Sequence, residues 1–149
     1  MPELRLTLLM ENSAPQGLIG EHGLSVYLEY RGRRLLLDAG ESGAFLVNAE
    51  RLGLDLAGVE LAFLSHGHYD HADGLAAFFA VNSAAPVLAR TGITAPAYHG
   101  SEYIGVNAGL LHRRGRRFQL SDETREPLPG VWTVPDPVDH EQSLVLETG

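Results

Sequence analysis

Between the apolar run Val59-Glu60-Leu61-Ala62-Phe63-Leu64-Ser65 and a stretch carrying Leu75, Phe78 and Phe79 at helical spacing lie six residues, His66-Gly67-His68-Tyr69-Asp70-His71, with three imidazoles and a carboxylate among them. Gathered and buried, such groups cost free energy unless a cation pairs with them. Neutral imidazole nitrogen and carboxylate oxygen are the donors that hold zinc, manganese or iron. The chain is therefore read as a buried strand, a loop that collects ligands, and a helix. His66 and His68, two apart, point the same way on extended backbone, whereas Asp70 and His71 diverge unless the chain turns. That pattern suggests up to two metal ions, one on His66 and His68 and the other on Asp70 and His71, with a bridging water between them. Gly67 and Gly74 bracket the cluster, and Asp73 is placed to cap the helix that follows. A surface loop that picks up metal adventitiously is the competing explanation, and the strand-loop-helix context weighs against it.

The flanking pattern is that of an α/β chain. Leu4–Met10 alternates and then turns wholly apolar, as a strand entering a core does. Leu24–Tyr30 and Arg34–Asp38 flank Arg31-Gly32-Arg33, which predicts a hairpin. Ser42 is placed to cap a helix through Phe45, Ala49 and Leu52, with Gly53 as its stop. Further strands are expected at Val59–Ser65, Pro86–Arg90, Val131–Val134 and Leu144–Leu146, and Thr94–Gly109 reads as a loop with a short helix at most. Strands and helices in this order imply a mixed sheet covered by helices. With 149 residues, 1–149 is expected to form a single domain.

Net charge is −8, which opposes nonspecific attraction to nucleic acid or to an anionic membrane surface, although bound metal reverses the sign locally. No apolar stretch approaches the roughly 20 residues of a membrane span. There is no cysteine, hence no disulfide framework or thiolate, and Met1-Pro2-Glu3-Leu4-Arg5 does not read as a signal peptide; a cytoplasmic protein is expected. Against the acidic background, Arg113-Arg114-Gly115-Arg116-Arg117 is either a solvated turn between strands or a patch facing an anionic substrate. Gly-x-Ser-x-Gly is absent, and the chain has no lysine for a phosphate-cradling loop, so no protein nucleophile competes with the metal reading.

Leu64-Ser65-His66-Gly67-His68-Tyr69-Asp70-His71 resembles the His-x-His-x-Asp-His signature of the metallo-β-lactamase superfamily. Glu11-Asn12, Glu21-His22-Gly23-Leu24-Ser25, Leu37-Asp38-Ala39-Gly40 and, more weakly, Asp139-His140-Glu141-Gln142-Ser143-Leu144 are similar to its dihydropterin ribofuranosyl-aminobenzene phosphate synthase-like metallohydrolase branch. The resemblance implies a four-layer αββα sandwich with metal at one edge between the sheets, of which this chain encodes the N-terminal portion. It also implies further ligands from segments beyond the position matching Gly149, so each ligand pair here is expected to be short of partners. One sheet face, drawn from Leu6, Leu8, Val26, Leu28, Leu36, Phe63 and Val145, is expected to lie bare unless a second copy or another chain covers it, with truncation or a homodimer as the two explanations.

Function follows as an expectation. His66, His68, Asp70 and His71 hold a divalent metal, zinc first and manganese or iron as alternatives. Metal-activated hydroxide attacks an ester-, lactone- or phosphate-type small molecule while Asp70 acts catalytically, holding or relaying the proton. The histidine at position 68, where oxygen-reducing members of the resembled family usually place glutamate, favours hydrolysis over redox chemistry. A noncatalytic metal-binding half-domain that needs a partner chain is the alternative. The resemblance casts Asp38 as a residue that orients a ligand histidine. His22 reads as a surface residue, and His99, His112 and His140 as non-ligands, because nothing near them in sequence orients an imidazole.

Overall fold

The computed structural model describes residues 2–149. Strand β1 (Leu4–Met10) pairs antiparallel with β2 (Ser25–Tyr30), which turns back into β3 (Arg33–Leu37). The expected hairpin forms because Arg31 and Gly32 both take positive φ, 47° and 78°, the backbone twist that a two-residue connection needs. Helix α1 (Ala44–Arg51) follows; the Ser42 hydroxyl accepts the Ala44 N–H at 3.1 Å, and Gly53 at φ 71° ends the helix by donating to the Glu50 carbonyl.

The apolar run expected to be one long strand is shorter in the structure. A 3₁₀ turn at Leu56–Gly58 precedes β4 (Leu61–Phe63), and the chain then enters the ligand loop, a single helical turn α2 (Tyr69–Ala72), and α3 (Leu75–Val81). Asp73 does not cap α3. Its carboxylate accepts the Asn107 N–H at 2.8 Å, while Gly74 occupies the capping position and donates to the Gly40 carbonyl. A side chain at Gly74 would place Cβ 1.9 Å from the Ala39 carbonyl oxygen, so two backbones meet there and only glycine fits. After β5 (Val87–Ala89), a 3₁₀ turn at Thr91–Thr94 leads into the segment expected to be a loop, which contains a small hairpin of β6 (Tyr98–His99) and β7 (Glu102–Tyr103). It then enters α4 (Ala108–Arg114), begun by the Asn107 side chain, which accepts from Gly109 and Leu110. The arginine run lies on the end of α4 and a following 3₁₀ turn rather than between strands, and leads into β8 (Phe118–Leu120). Strands β9 (Arg125–Leu128), β10 (Val131–Pro135) and β11 (Gln142–Leu146) complete the chain.

The strands form a mixed six-stranded sheet, ordered β1-β2-β3-β4-β5-β8 and parallel from β3 onward, and an antiparallel three-stranded sheet, β11-β10-β9. On one face of the larger sheet Tyr27, Leu36, Ala62 and Val87 pack with Phe45 and Ala49 of α1 and Phe78 and Phe79 of α3. On the other face Val26, Leu28, Leu35, Leu61, Phe63 and Leu88 are buried with Val131, and Leu128, Leu144 and Leu146 of the smaller sheet pack over them. The expected bare face is thus covered from within the chain, and Leu36 belongs to the opposite, helix-covered face. Of the residues expected on it, only Leu6, Leu8 and Val145 are exposed, at 61, 52 and 45%. The smaller sheet is held in place by polar contacts sequence periodicity does not register. The Tyr30 hydroxyl donates to the Glu147 carbonyl at 2.6 Å, and buried Gln142 donates through Nε2 to the carbonyls of Leu64 and Leu88 at 2.9 and 3.0 Å.

Parallel strands β3, β4 and β5 end together, so Asp38, the Ser65–His71 segment and Arg90 emerge at one edge of the sheet, where open parallel sheets commonly carry their sites. Among the described residues no helix is long and apolar enough to cross a membrane.

Candidate metal centre

Asp38 organises the site from below. It sits just past β3 with φ 56° and is 1% exposed; aspartate tolerates this left-handed conformation better than most residues. Its Oδ1 accepts the Ser65 N–H at 2.7 Å, and its Oδ2 accepts the Ser65 hydroxyl at 2.5 Å and lies 2.8 Å from His71 Nδ1. A carboxylate only accepts, so His71 carries its proton on Nδ1. Ser65 spends its one hydroxyl proton on Asp38, so its oxygen accepts from His66 Nδ1, 2.8 Å away. One buried carboxylate thereby fixes two tautomers, and both imidazoles keep an unshared pair on Nε2 for a cation.

The loop holds these rings close. The His66 ring centroid lies 4.6 Å from that of His68 and 4.2 Å from that of His71. The turn that α2 makes brings the adjacent Asp70 and His71 side chains together, with Asp70 Oδ2 3.5 Å from His71 Nε2. The backbone is pinned by the Tyr69 N–H, which donates to the Ile104 carbonyl at 3.0 Å, and by a close approach at Gly23, where a Cβ would stand 1.9 Å from the Asp70 carbonyl oxygen.

Protonation follows from burial and neighbours. Burial and the nearby His71 charge push the His66 imidazole down to about 4, so it is neutral, as a ligand must be. Burial and His140 lower His68 as well. For His71 burial acts downward, yet the hydrogen bond and charge of Asp38, aided by Asp70, outweigh it and raise the group.

All four sequence-selected residues meet here. One atom from each of His66, His68 and Asp70 lies within 4.8 Å of the others, so the three together could hold a metal ion. Asp38, His66 and His71 satisfy the same distance condition, but the Asp38 oxygens are already committed to Ser65 and His71, so that trio is the support beneath the site. The first grouping differs from the expected pairs: Asp70 joins His66 and His68 as well as facing His71.

Two further histidines stand near the cluster, His22 at the surface as the sequence suggested and His140 with an orienting partner its sequence neighbours do not supply. His22 is 65% exposed, yet its Nε2 stands 3.2 Å from Asp70 Oδ2. His140 lies beside the cluster within this same chain, its ring 5.1 Å from that of His68, and Gly67 N–H donates to its Nδ1 at 3.1 Å. An orienting partner therefore exists, but 73 residues away in sequence. The polar run Asp139-His140-Glu141-Gln142 before an apolar strand was the available signal. His99 on β6 and His112 on α4 are exposed and belong to neither ligand grouping.

Comparison with known proteins agrees with this fold. The family model described as the metallo-beta-lactamase superfamily matches residues 18–149. An uncharacterized protein of Methanocaldococcus jannaschii is 33% identical over 105 residues, 68% of this chain and 40% of that protein. The 7,8-dihydropterin-6-methyl-4-(beta-D-ribofuranosyl)-aminobenzene-5'-phosphate synthase of the same organism is 27% identical over 136 residues, 82% of this chain and 46% of that one. The crystal structure of a metal-dependent hydrolase of the beta-lactamase superfamily superimposes with a TM-score of 0.81 at 27% identity, covering 97% of this chain and 62% of that one. The chain thus spans less than half the length of the two Methanocaldococcus jannaschii proteins and about three fifths of the third.

Proposed function

Because the chain belongs to the metallo-β-lactamase superfamily, we propose that it is a metal-dependent hydrolase acting on an ester-, lactone- or phosphate-type small molecule. The observation that carries the reading is the trio His66, His68 and Asp70, with the His66 tautomer fixed from behind through Ser65 and Asp38. Zinc is the first choice for a borderline nitrogen and oxygen donor set, with manganese or iron as alternatives. Held by His66, His68 and Asp70, a divalent cation would supply hydroxide near neutral pH and polarise a carbonyl or phosphoryl oxygen. Asp70 holds the proton released from water, and His22, its Nε2 3.2 Å from Asp70 Oδ2, orients that carboxylate. The Asp38-Ser65 pair keeps the His66 and His71 rings from rotating as charge develops.

A second reading is a metal-binding half-domain completed by another chain. It draws on His66 having one free nitrogen, which serves one cation; a second ion is left with Asp70 and His71 alone. The test is a panel of p-nitrophenyl esters, lactones and bis(p-nitrophenyl) phosphate offered to zinc- and manganese-loaded protein, with Asp70→Asn as control. Turnover that a chelator abolishes, and that falls by at least about tenfold in Asp70→Asn, supports the hydrolase. Loaded protein without turnover on any of the three classes favours the half-domain.

A further inference from the structure

The segment joining β10 to β11 is fastened more firmly than a connection requires. Arg90, its side chain 11% exposed, places Nη1 2.8, 2.9 and 3.0 Å from the carbonyls of Asp136, Val138 and Glu141 while Nε bonds Asp122 at 3.0 Å. A Cβ at Gly92 would stand 2.5 Å from the Asp139 carbonyl oxygen and 3.1 Å from His140 Cα, so the backbones touch. Gln142 N–H donates to the Ser65 carbonyl at 2.8 Å, tying the far end of the segment to the residue before the ligand loop. Burying a guanidinium is costly, and here it is spent on carbonyls of one short loop. What that loop carries to the cluster is the His140 ring, 5.1 Å from His68 and 6.0 Å from His66 between centroids.

The chemistry of that ring follows from its partner. A backbone N–H can only donate, so His140 Nδ1 accepts from Gly67, and the proton of the neutral ring sits on Nε2. A nitrogen bearing a proton has no pair to give a cation. We propose that His140 is a hydrogen-bond donor to substrate, its Nε2–H receiving the phosphoryl or carbonyl oxygen that gains negative charge during hydrolysis, and that Arg90 is the positioning residue that holds it there. The assignment rests on the hydrolase reading above. As the water oxygen bonds to the carbonyl carbon, the electron pair of the C=O bond moves onto the oxygen that His140 faces. On a phosphoryl group, negative charge builds on the corresponding oxygen. The proton stays on Nε2 throughout, and the donor counts for most when the oxygen is anionic.

The experiment compares the zinc-loaded protein with His140→Asn, whose side-chain oxygen still accepts from Gly67 but which lacks the Nε2–H. Zinc per chain, affinity for inorganic phosphate, and the His140 tautomer by ¹⁵N NMR are read separately. Expected are unchanged zinc, an Nε2-protonated ring with and without zinc, and a loss of phosphate affinity of about ten- to a hundredfold, the usual effect of removing one hydrogen bond to a charged group. Arg90→Met is expected to weaken phosphate binding at unchanged zinc, with the His140 signal broadened. Loss of zinc in His140→Asn, an Nδ1-protonated ring, or equal phosphate response in the two proteins, absence of response in both included, overturns the assignment. A fall in phosphate affinity in protein that hydrolyses nothing in the panel supports the donor and counts against the hydrolase. Hydrolysis with equal phosphate affinity keeps the hydrolase and removes the donor.

Discussion

Two short windows of this chain are dense in residues of the kind that make sites, and the fold treats them oppositely. In His66–His71, four side chains converge because each is anchored behind: His66 through Ser65 and Asp38, His71 through Asp38, Asp70 through the turn of α2, His68 through the Tyr69 backbone bond. In Arg113–Arg117 nothing gathers the guanidinium groups. Arg113 and Arg114 flank an open cleft of about 420 Å³ with Asp73 and Asn107, and Arg116 is exposed. Arg117 turns inward, donates to the carbonyls of Ala85 and Asn82 at 2.7 to 3.1 Å, and lies 4.5 Å above the Phe79 ring. Density in sequence becomes a site only where buried partners fix the side chains. The arginine run instead ends a helix and ties α3 to the start of β8.

The largest effect is expected from Asp38→Ala. It strips the buried acceptor from Ser65 N–H, Ser65 Oγ and His71 Nδ1, and is expected to cost about 3 to 5 kcal/mol of stability and about ten- to a hundredfold in zinc affinity. Denaturant unfolding and zinc titration check the two separately. Arg117→Ala is next, at about 1 to 3 kcal/mol from carbonyls left without a donor, with zinc binding unchanged; altered zinc binding would show the two windows to be coupled.

In metal-free protein, two histidines of the cluster make stability depend on pH in opposite directions. His66 is depressed to about 4 from 6.5, so the unfolded chain takes up a proton that the folded chain refuses, and stability rises as pH climbs from about 4 to 6.5. His71 is raised, so its contribution is complete below 6.5 and is lost as pH rises through its folded value. Urea unfolding across pH is expected to show the lower limb flattened in His66→Ala and the limb above 6.5 flattened in His71→Ala. The smallest effect is Arg113→Ala with Arg114→Ala, within about 0.5 kcal/mol and without change in zinc, as for other exposed surface positions.

What was legible in the sequence was local. The Arg31-Gly32 turn, the Gly53 stop, the apolar periods of α1 and α3 and the ligand cluster are each written within a few residues. What was not legible depends on partners far along the chain. Strands near Val131 and Leu144 were readable, but not that they cover Leu28 and Phe63, because Tyr30 and Gln142 fix that placement across the fold. Asp73 looks like a cap until Asn107 claims its carboxylate, and His140 looks unsupported until Gly67 and Arg90 reach it. A reading of neighbours in sequence finds ligands and misses what holds them.

The most direct test of the metal centre is zinc titrated into metal-free protein, with bound metal per chain counted after dialysis in wild type, His68→Ala, Asp70→Ala and His112→Ala. The expected result is stoichiometric zinc in wild type and in His112→Ala, and its loss in His68→Ala and Asp70→Ala, because the trio His66, His68 and Asp70 is broken only in those two. Wild type that retains no zinc, or a His112→Ala protein that loses as much as His68→Ala, would contradict it.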